Sequence, residues 1–205
     1  MSDREIPVSA DPPDSPFRVR GTDHVTVTGS NPEETIAFYR DTLGMPLVLR
    51  QPNLDQPEVT HLFFDTGDGR LLTFFVTDDQ PSNRAPAQDV GNVHHLAFSI
   101  DAEDLPEVKA SLEDGGHRYN EFDRGAFHSV YTRDNNGLTV ELVVDKWDIP
   151  DGRRGEVLAL AQKHRVETGT DFVDDEHVRA AVDELGIDAE LTEVPDAPAG
   201  VGYDE

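Results

Sequence analysis

The stretch Asn92-Val93-His94-His95-Leu96-Ala97-Phe98-Ser99-Ile100 reads as a strand. His95, Ala97 and Ser99 share one parity and Leu96, Phe98 and Ile100 the other, the period-two alternation of a half-buried strand. An earlier stretch, Thr22-Asp23-His24-Val25-Thr26-Val27-Thr28, repeats the scheme: a histidine, then valines on one face and threonines on the other. His24 and His95 are 71 residues apart, and so are Gly44 and Gly115, each at the end of a helix-like segment. The turn glycines Gly69 and Gly137 differ by 68. A spacing kept through strand, helix and turn marks a duplicated unit.

Working outward, the first unit holds a strand over 18–28 and a helix start at Ser30-Asn31-Pro32-Glu33-Glu34. Ser30 or Asn31 can cap, Pro32 suits the first turn, and the glutamates favour the positive end of the helix dipole. Ile36 to Leu43 continue the helix and Gly44 stops it. Strands are predicted over 46–50, 61–65 and 71–77, the last two joined by the turn Thr66-Gly67-Asp68-Gly69. Residues 78–91 read as a linker. The second unit repeats the order: a strand over 93–100, a helix over 102–113 closed by Gly115-Gly116, and strands over 117–122, 126–132 and 138–144. Asp134-Asn135-Asn136-Gly137 is a hairpin turn.

The predicted fold is α+β, with two tandem β-α-β-β-β modules at 18–80 and 92–146 forming a curved-sheet metal cavity. Residues 1–17 are polar and proline-rich and read as a flexible leader. Residues 147–205 read as a helical extension, with helix patterns in 150–168 and 174–185 and an acidic tail.

The 42 acidic and 17 basic residues give a net charge of −25, spread along the whole chain. Such a field repels nucleic acid and anionic lipid, and its even spread with few lysines suits a surface adapted to high salt, a halophilic trait. With no cysteine, disulfides, thiolate metal sites and cysteine nucleophiles are excluded. No apolar run reaches the roughly 18 residues of a membrane span. The start of the chain lacks the apolar core of a signal peptide, so a cytoplasmic location is expected.

His24 and His95 occupy equivalent positions on the first strand of each module, facing away from the helix side. Thr26, Ala97 and Ser99 beside them are small and leave room for a ligand. Glu141 is a lone charge in the apolar run Leu138 to Val144, and a buried carboxylate needs a partner. Two imidazoles and a carboxylate suit one divalent metal with open coordination positions. Taken singly, each has a structural alternative: a hydrogen-bonded strand histidine, or a glutamate on a solvent-facing edge. Parity places His94 with Leu96 and Phe98, as a structural residue or a support for the ligands.

The stretches Asp23-His24-Val25-Thr26, Ile36 to Met45, Val93 to Phe98 and Asn136 to Leu142 resemble the vicinal oxygen chelate superfamily. It includes glyoxalase I, fosfomycin and bleomycin resistance proteins, and extradiol ring-cleaving dioxygenases. The resemblance covers residues 18–146. It implies a fold of paired modules, a small-molecule substrate and, often, a homodimer. Glyoxalase I uses four protein ligands; here the first-module counterpart of Glu141 is Thr73, with Leu71 nearby, and neither is a carboxylate. The set His24, His95 and Glu141 resembles the extradiol and hydroquinone-cleaving dioxygenases, which implies Fe(II), alternatively Mn(II), and cleavage of an aromatic diol-like substrate by O2. In those enzymes a tyrosine ten residues before the glutamate helps bind substrate oxygen; Tyr131 stands there. His128 and His61 are candidates for proton transfer, although His128 has the opposite parity to Tyr131. Two alternatives are a glyoxalase-type lyase or isomerase and a non-catalytic binding protein of the resistance type.

Overall fold

The computed structural model describes residues 8–78, 90–150 and 152–198. These fall into two compact units: Val19–Asn120 with Val130–Val143, and 8–18 with 121–129 and 144–198.

The first module runs β1 (His24–Ser30), α1 (Pro32–Ile36), a π-helical continuation (Ala37–Thr42), β2 (Leu47–Pro52), β3 (Thr60–Asp65) and β4 (Leu71–Thr77). The second runs β5 (His95–Ser99), a 3-10 turn and α2 (Leu105–Asp114), β6 (Asn120–Asp123), β7 (Phe127–Arg133) and β8 (Thr139–Asp145). The strand orders, β1-β4-β3-β2 and β5-β8-β7-β6, are the same permutation. In each module the first strand pairs in parallel with the last. The duplicated β-α-β-β-β fold read from the sequence is therefore present.

Boundaries shift for local reasons. β1 begins at His24, six residues later than the alternation suggests, because its partner β4 starts opposite it at Leu71. β5 likewise begins at His95, opposite the first residue of β8, Thr139. Asn31 is the α1 cap, its side chain accepting from Glu34 N. The single helix predicted to Leu43 widens after Ile36, and Leu43 N bonds to Phe38 O five residues back. Apolar spacing does not distinguish this wider turn from an α-turn. The linker read at 78–91 lies largely outside the described residues, as do residues 1–7 of the leader and 199–205 of the tail.

The core of the larger unit supports the parity reading. Phe38, Tyr39, Leu62, Phe64, Phe74 and Val140 are buried in it, and Val25, Val27, Leu96 and Phe98 pack against it. The modules are pinned to each other by polar groups. The buried Tyr39 hydroxyl donates to Asp134 Oδ2 at 2.9 Å, Ser30 N donates to Asn136 Oδ1 at 2.7 Å, and Ser111 Oγ donates to Thr42 O at 2.7 Å.

In the other unit, α3 (Arg154–Thr168) and α4 (Asp175–Glu184) bury Val157, Ala161, Val178, Ala181 and Val182 with Trp147 and Ala126. Lys146, 6% exposed, places its ammonium 2.8 Å from Asp123 and 3.1 Å from Asp175. Gly125 has φ +79°, and a β-carbon there would lie 2.6 Å from Val173 O, so only glycine fits. Among the described residues no helix is long and apolar enough to cross a membrane.

Candidate metal centre

The second module assembles the polar chemistry. Pairing of β5 with β8 sets Ala97 opposite Glu141 and His95 opposite Thr139. His95 and Glu141 thus share a face, with His95 Nε2 at 3.0 Å from Glu141 Oε2. Tyr131, on β7, donates its hydroxyl to the other oxygen, Glu141 Oε1, at 2.5 Å. Its ring stands edge-on to His95, with centroids 6.2 Å apart. Glu141 is 8% exposed, so these contacts answer the cost of burying its charge. Two donors at right angles on a metal, each about 2.1 Å from it, lie about 3.0 Å apart. The His95–Glu141 separation therefore suits two adjacent ligands of one ion as well as a hydrogen bond.

The first module offers a different surface at the same register. Thr26 pairs with Thr73, and the Thr73 hydroxyl donates to Thr26 Oγ1 at 2.8 Å. Thr73 stands where the second module carries Glu141, as the repeat arithmetic predicts, so no fourth carboxylate is present there. His24 holds the position equivalent to His95, half-exposed, with Nδ1 2.7 Å from Asp23 Oδ1. Further along the sheet His61 pairs with Phe75. Its ring lies 3.9 Å from Phe63 and 4.5 Å from Phe75, centroid to centroid. His61 Nε2 is buried without a hydrogen-bond partner. Burial, aided by the field of His24, holds the His61 pKa below the usual histidine range, so the ring is neutral at pH 7.

Of the predicted ligands, then, the fold brings His95 and Glu141 together. Among the described residues no group of three His, Cys, Asp or Glu side chains stands close enough to hold a metal ion. His128 belongs to the other unit. It is 1% exposed, with Nε2 2.7 Å from Glu121 Oε1 and a buried Nδ1 lacking a hydrogen-bond partner. His94 lies just before β5, where strand parity does not govern it. Its Nδ1 is 2.9 Å from His95 Nδ1. The sequence reading passed over Asp23; its place immediately before a candidate ligand, matching that of His94, was the available signal. A cavity of about 560 Å³ borders β5 and the β3–β4 hairpin, lined by Thr22, Arg70, Leu72, Leu96, Phe98 and Ser99 among others. Its lining includes Ala97 and Ser99, which share a face of β5 with His95, but not His95, Glu141 or Tyr131 themselves.

The family model of the Glyoxalase/Bleomycin resistance protein/Dioxygenase superfamily matches residues 21–142. The chain is 31% identical over 103 residues to a Bacillus subtilis protein named "Putative ring-cleaving dioxygenase MhqE", covering 49% of this chain and 33% of that one. It is 27% identical over 138 residues to "Putative ring-cleaving dioxygenase MhqO" of the same organism, covering 62% and 40%. The chain thus spans well under half the length of these relatives. A crystal structure titled as a putative dioxygenase from Bacillus subtilis is similar with a TM-score of 0.54 and 27% identity, over 60% of this chain and 40% of that one. With the matched segment running from before β1 into β8, the chain belongs to the Glyoxalase/Bleomycin resistance protein/Dioxygenase superfamily.

Proposed function

We propose that this protein is a divalent-metal-dependent dioxygenase that opens an aromatic diol-like ring with O2, with His24, His95 and Glu141 as the metal ligands. The observation that carries this reading is the chain His95–Glu141–Tyr131: a buried carboxylate with one oxygen facing an imidazole nitrogen and the other fixed by a phenol. The similarity to proteins named as ring-cleaving dioxygenases supports it over part of their length. Fe(II) is the first choice of ion and Mn(II) the second. When bound, the ion would supply Lewis acidity toward two substrate oxygens and an adjacent position for dioxygen.

The protein's own groups then have distinct tasks. Tyr131, by holding Glu141 Oε1, fixes the carboxylate and keeps Oε2 turned to His95, and its hydroxyl is the proposed contact for a substrate oxygen. Phe63 and Phe75 offer ring faces to a planar substrate. His61, neutral and with Nε2 lacking a hydrogen-bond partner beside those rings, is a candidate to accept a substrate proton, as is His128. His24 is the third proposed ligand; in the structure it stands apart from the His95–Glu141 pair, with Nδ1 against Asp23. A small molecule is the partner, and a homodimer suits the fold.

The test is elemental analysis of protein purified anaerobically, with Glu141→Ala as control. Iron or manganese near one per chain, lost in the variant, followed by oxygen uptake with catechols or hydroquinones, would uphold the reading. Nickel or zinc without oxygen uptake would favour an isomerase, and no metal in either protein would leave a binding protein.

A further inference from the structure

β5 lies at one edge of its sheet, with β8 its neighbour among the described residues. Just past its end, Ile100 N donates to Val143 O of β8. Along a strand, the N–H and C=O of one residue turn to the same side, and successive residues alternate. Leu96 and Phe98 therefore bond to β8, while Ala97 and Ser99 turn their N–H and C=O to the open edge, where main-chain groups have no ladder partner. Leu96 and Phe98, as well as Ala97 and Ser99, line the cavity of about 560 Å³. A cavity touched by both parities of one strand runs along that strand's edge, so it receives the outward main-chain groups of Ala97 and Ser99. Val25 and Leu72 add apolar wall, and both belong with Leu96 and Phe98 to the core side of their sheets. The β3–β4 hairpin adds Arg70. Its Nε donates to Thr22 O at 2.9 Å and its Nη1 to Asp68 Oδ2 at 2.7 Å. The guanidinium is thus held in place with its charge answered by Asp68.

We propose that this cavity binds a neutral, mostly apolar, planar molecule that carries a hydrogen-bond donor and an acceptor side by side, as a lactam or a cyclic imide does. Its amide edge pairs with the N–H and C=O of Ala97 or Ser99, as an added strand would. Its ring packs on Leu96, Phe98, Val25 and Leu72, an apolar lining with few polar groups of the usual small-molecule kind and size. Charge disfavours an anion, because Asp68 already pairs with Arg70 and the whole chain carries −25. Length disfavours an extended peptide. β5 spans five residues, and of those whose main chain faces the open edge only Ala97 and Ser99 line the cavity. The site uses no metal ion and is independent of the proposed ligand set.

The test is a titration of the full, nitrogen-labelled chain with isoquinolone (a bicyclic lactam), its N-methyl derivative and naphthoate, followed by amide NMR. Isoquinolone should shift the Ala97 and Ser99 amides most. The N-methyl derivative keeps the ring and the acceptor but loses the donor, and should bind about 10-fold more weakly or worse, because a main-chain carbonyl is left unpaired. Naphthoate should bind more weakly than isoquinolone. Ala97→Pro removes an N–H that the β8 ladder does not use, a place where an edge strand tolerates proline. It should keep the circular dichroism of the wild type and lose about 10-fold in isoquinolone affinity. If that variant does not fold, the lactam and its N-methyl form on the wild type decide alone. Equal affinities for those two, naphthoate as the tightest ligand, or no shift at Ala97 and Ser99 would overturn the proposal. So would a capped alanine tripeptide that binds more tightly than isoquinolone, which would make the edge a site of strand addition.

Discussion

The two modules share strand order, parallel closure and register, yet at one position they part. Where β8 carries Glu141, β4 carries Thr73. In the second module that position binds His95 on one side and Tyr131 on the other. In the first, two threonine hydroxyls bond to each other, and the sheet beyond is paved with Phe63, Phe75 and His61. A duplicated fold lets one copy carry charge and the other present an aromatic surface, because the ladder that sets the register does not depend on which side chains fill it. The difference also argues against a symmetric four-ligand centre.

The largest break in this comparison is Glu141→Ala. It removes the carboxylate that both His95 and Tyr131 address, and metal content should fall by more than the roughly 10- to 100-fold cost of losing a supporting group. Elemental analysis checks it, and retention of metal would remove the second module's claim to the chemistry. Next is Tyr131→Phe. The ring and its packing survive while Glu141 Oε1 loses its donor, so metal affinity or activity should fall by about 10- to 100-fold, read by metal dialysis and oxygen uptake.

The contact that joins the modules is tested by stability. Tyr39→Phe leaves Asp134 without its buried phenolic donor and should cost about 1–3 kcal/mol, read by denaturant unfolding. The same pair has a pH signature. Burial holds the Asp134 carboxyl above its ordinary range, so the folded state keeps that proton longer than the unfolded chain. Its contribution to stability is complete below the ordinary carboxylate pKa and is lost as pH rises through the raised value. Unfolding free energy measured against pH should therefore fall across mild acid by more in the wild type than in Asp134→Asn. Tyr39 is itself raised well above 10.0 by burial and by Asp134, so a second loss of stability begins as pH climbs past the ordinary tyrosine range. The smallest effect is Thr73→Val, which breaks the Thr26 hydroxyl pair at the counterpart of Glu141. It should cost about 1 kcal/mol of stability and leave metal content unchanged; a loss of metal would mean that the first module does contribute a donor there.

The sequence by itself determined the duplication, the fold class and the two faces of β1 and β5. Strand alternation, helix stops and turn glycines are local signals, and a 71-residue spacing of histidine and helix end is legible without coordinates. It also identified Thr73 as the counterpart of Glu141, since register follows from strand position. Three things were decided only by tertiary structure. The first is where pairing starts: β1 and β5 begin when a partner strand lies opposite, not when alternation begins. The second is the widened turn after Ile36, since hydrogen-bond spacing leaves no mark in apolar periodicity. The third is which polar groups meet. Tyr131 with Glu141, Tyr39 with Asp134 and His94 with His95 are fixed by side-chain rotamers and by chain segments up to 95 residues apart. Only the folded backbone brings such groups within hydrogen-bond distance, and it is there, rather than in composition, that His128 is drawn to Glu121 and Glu141 to His95.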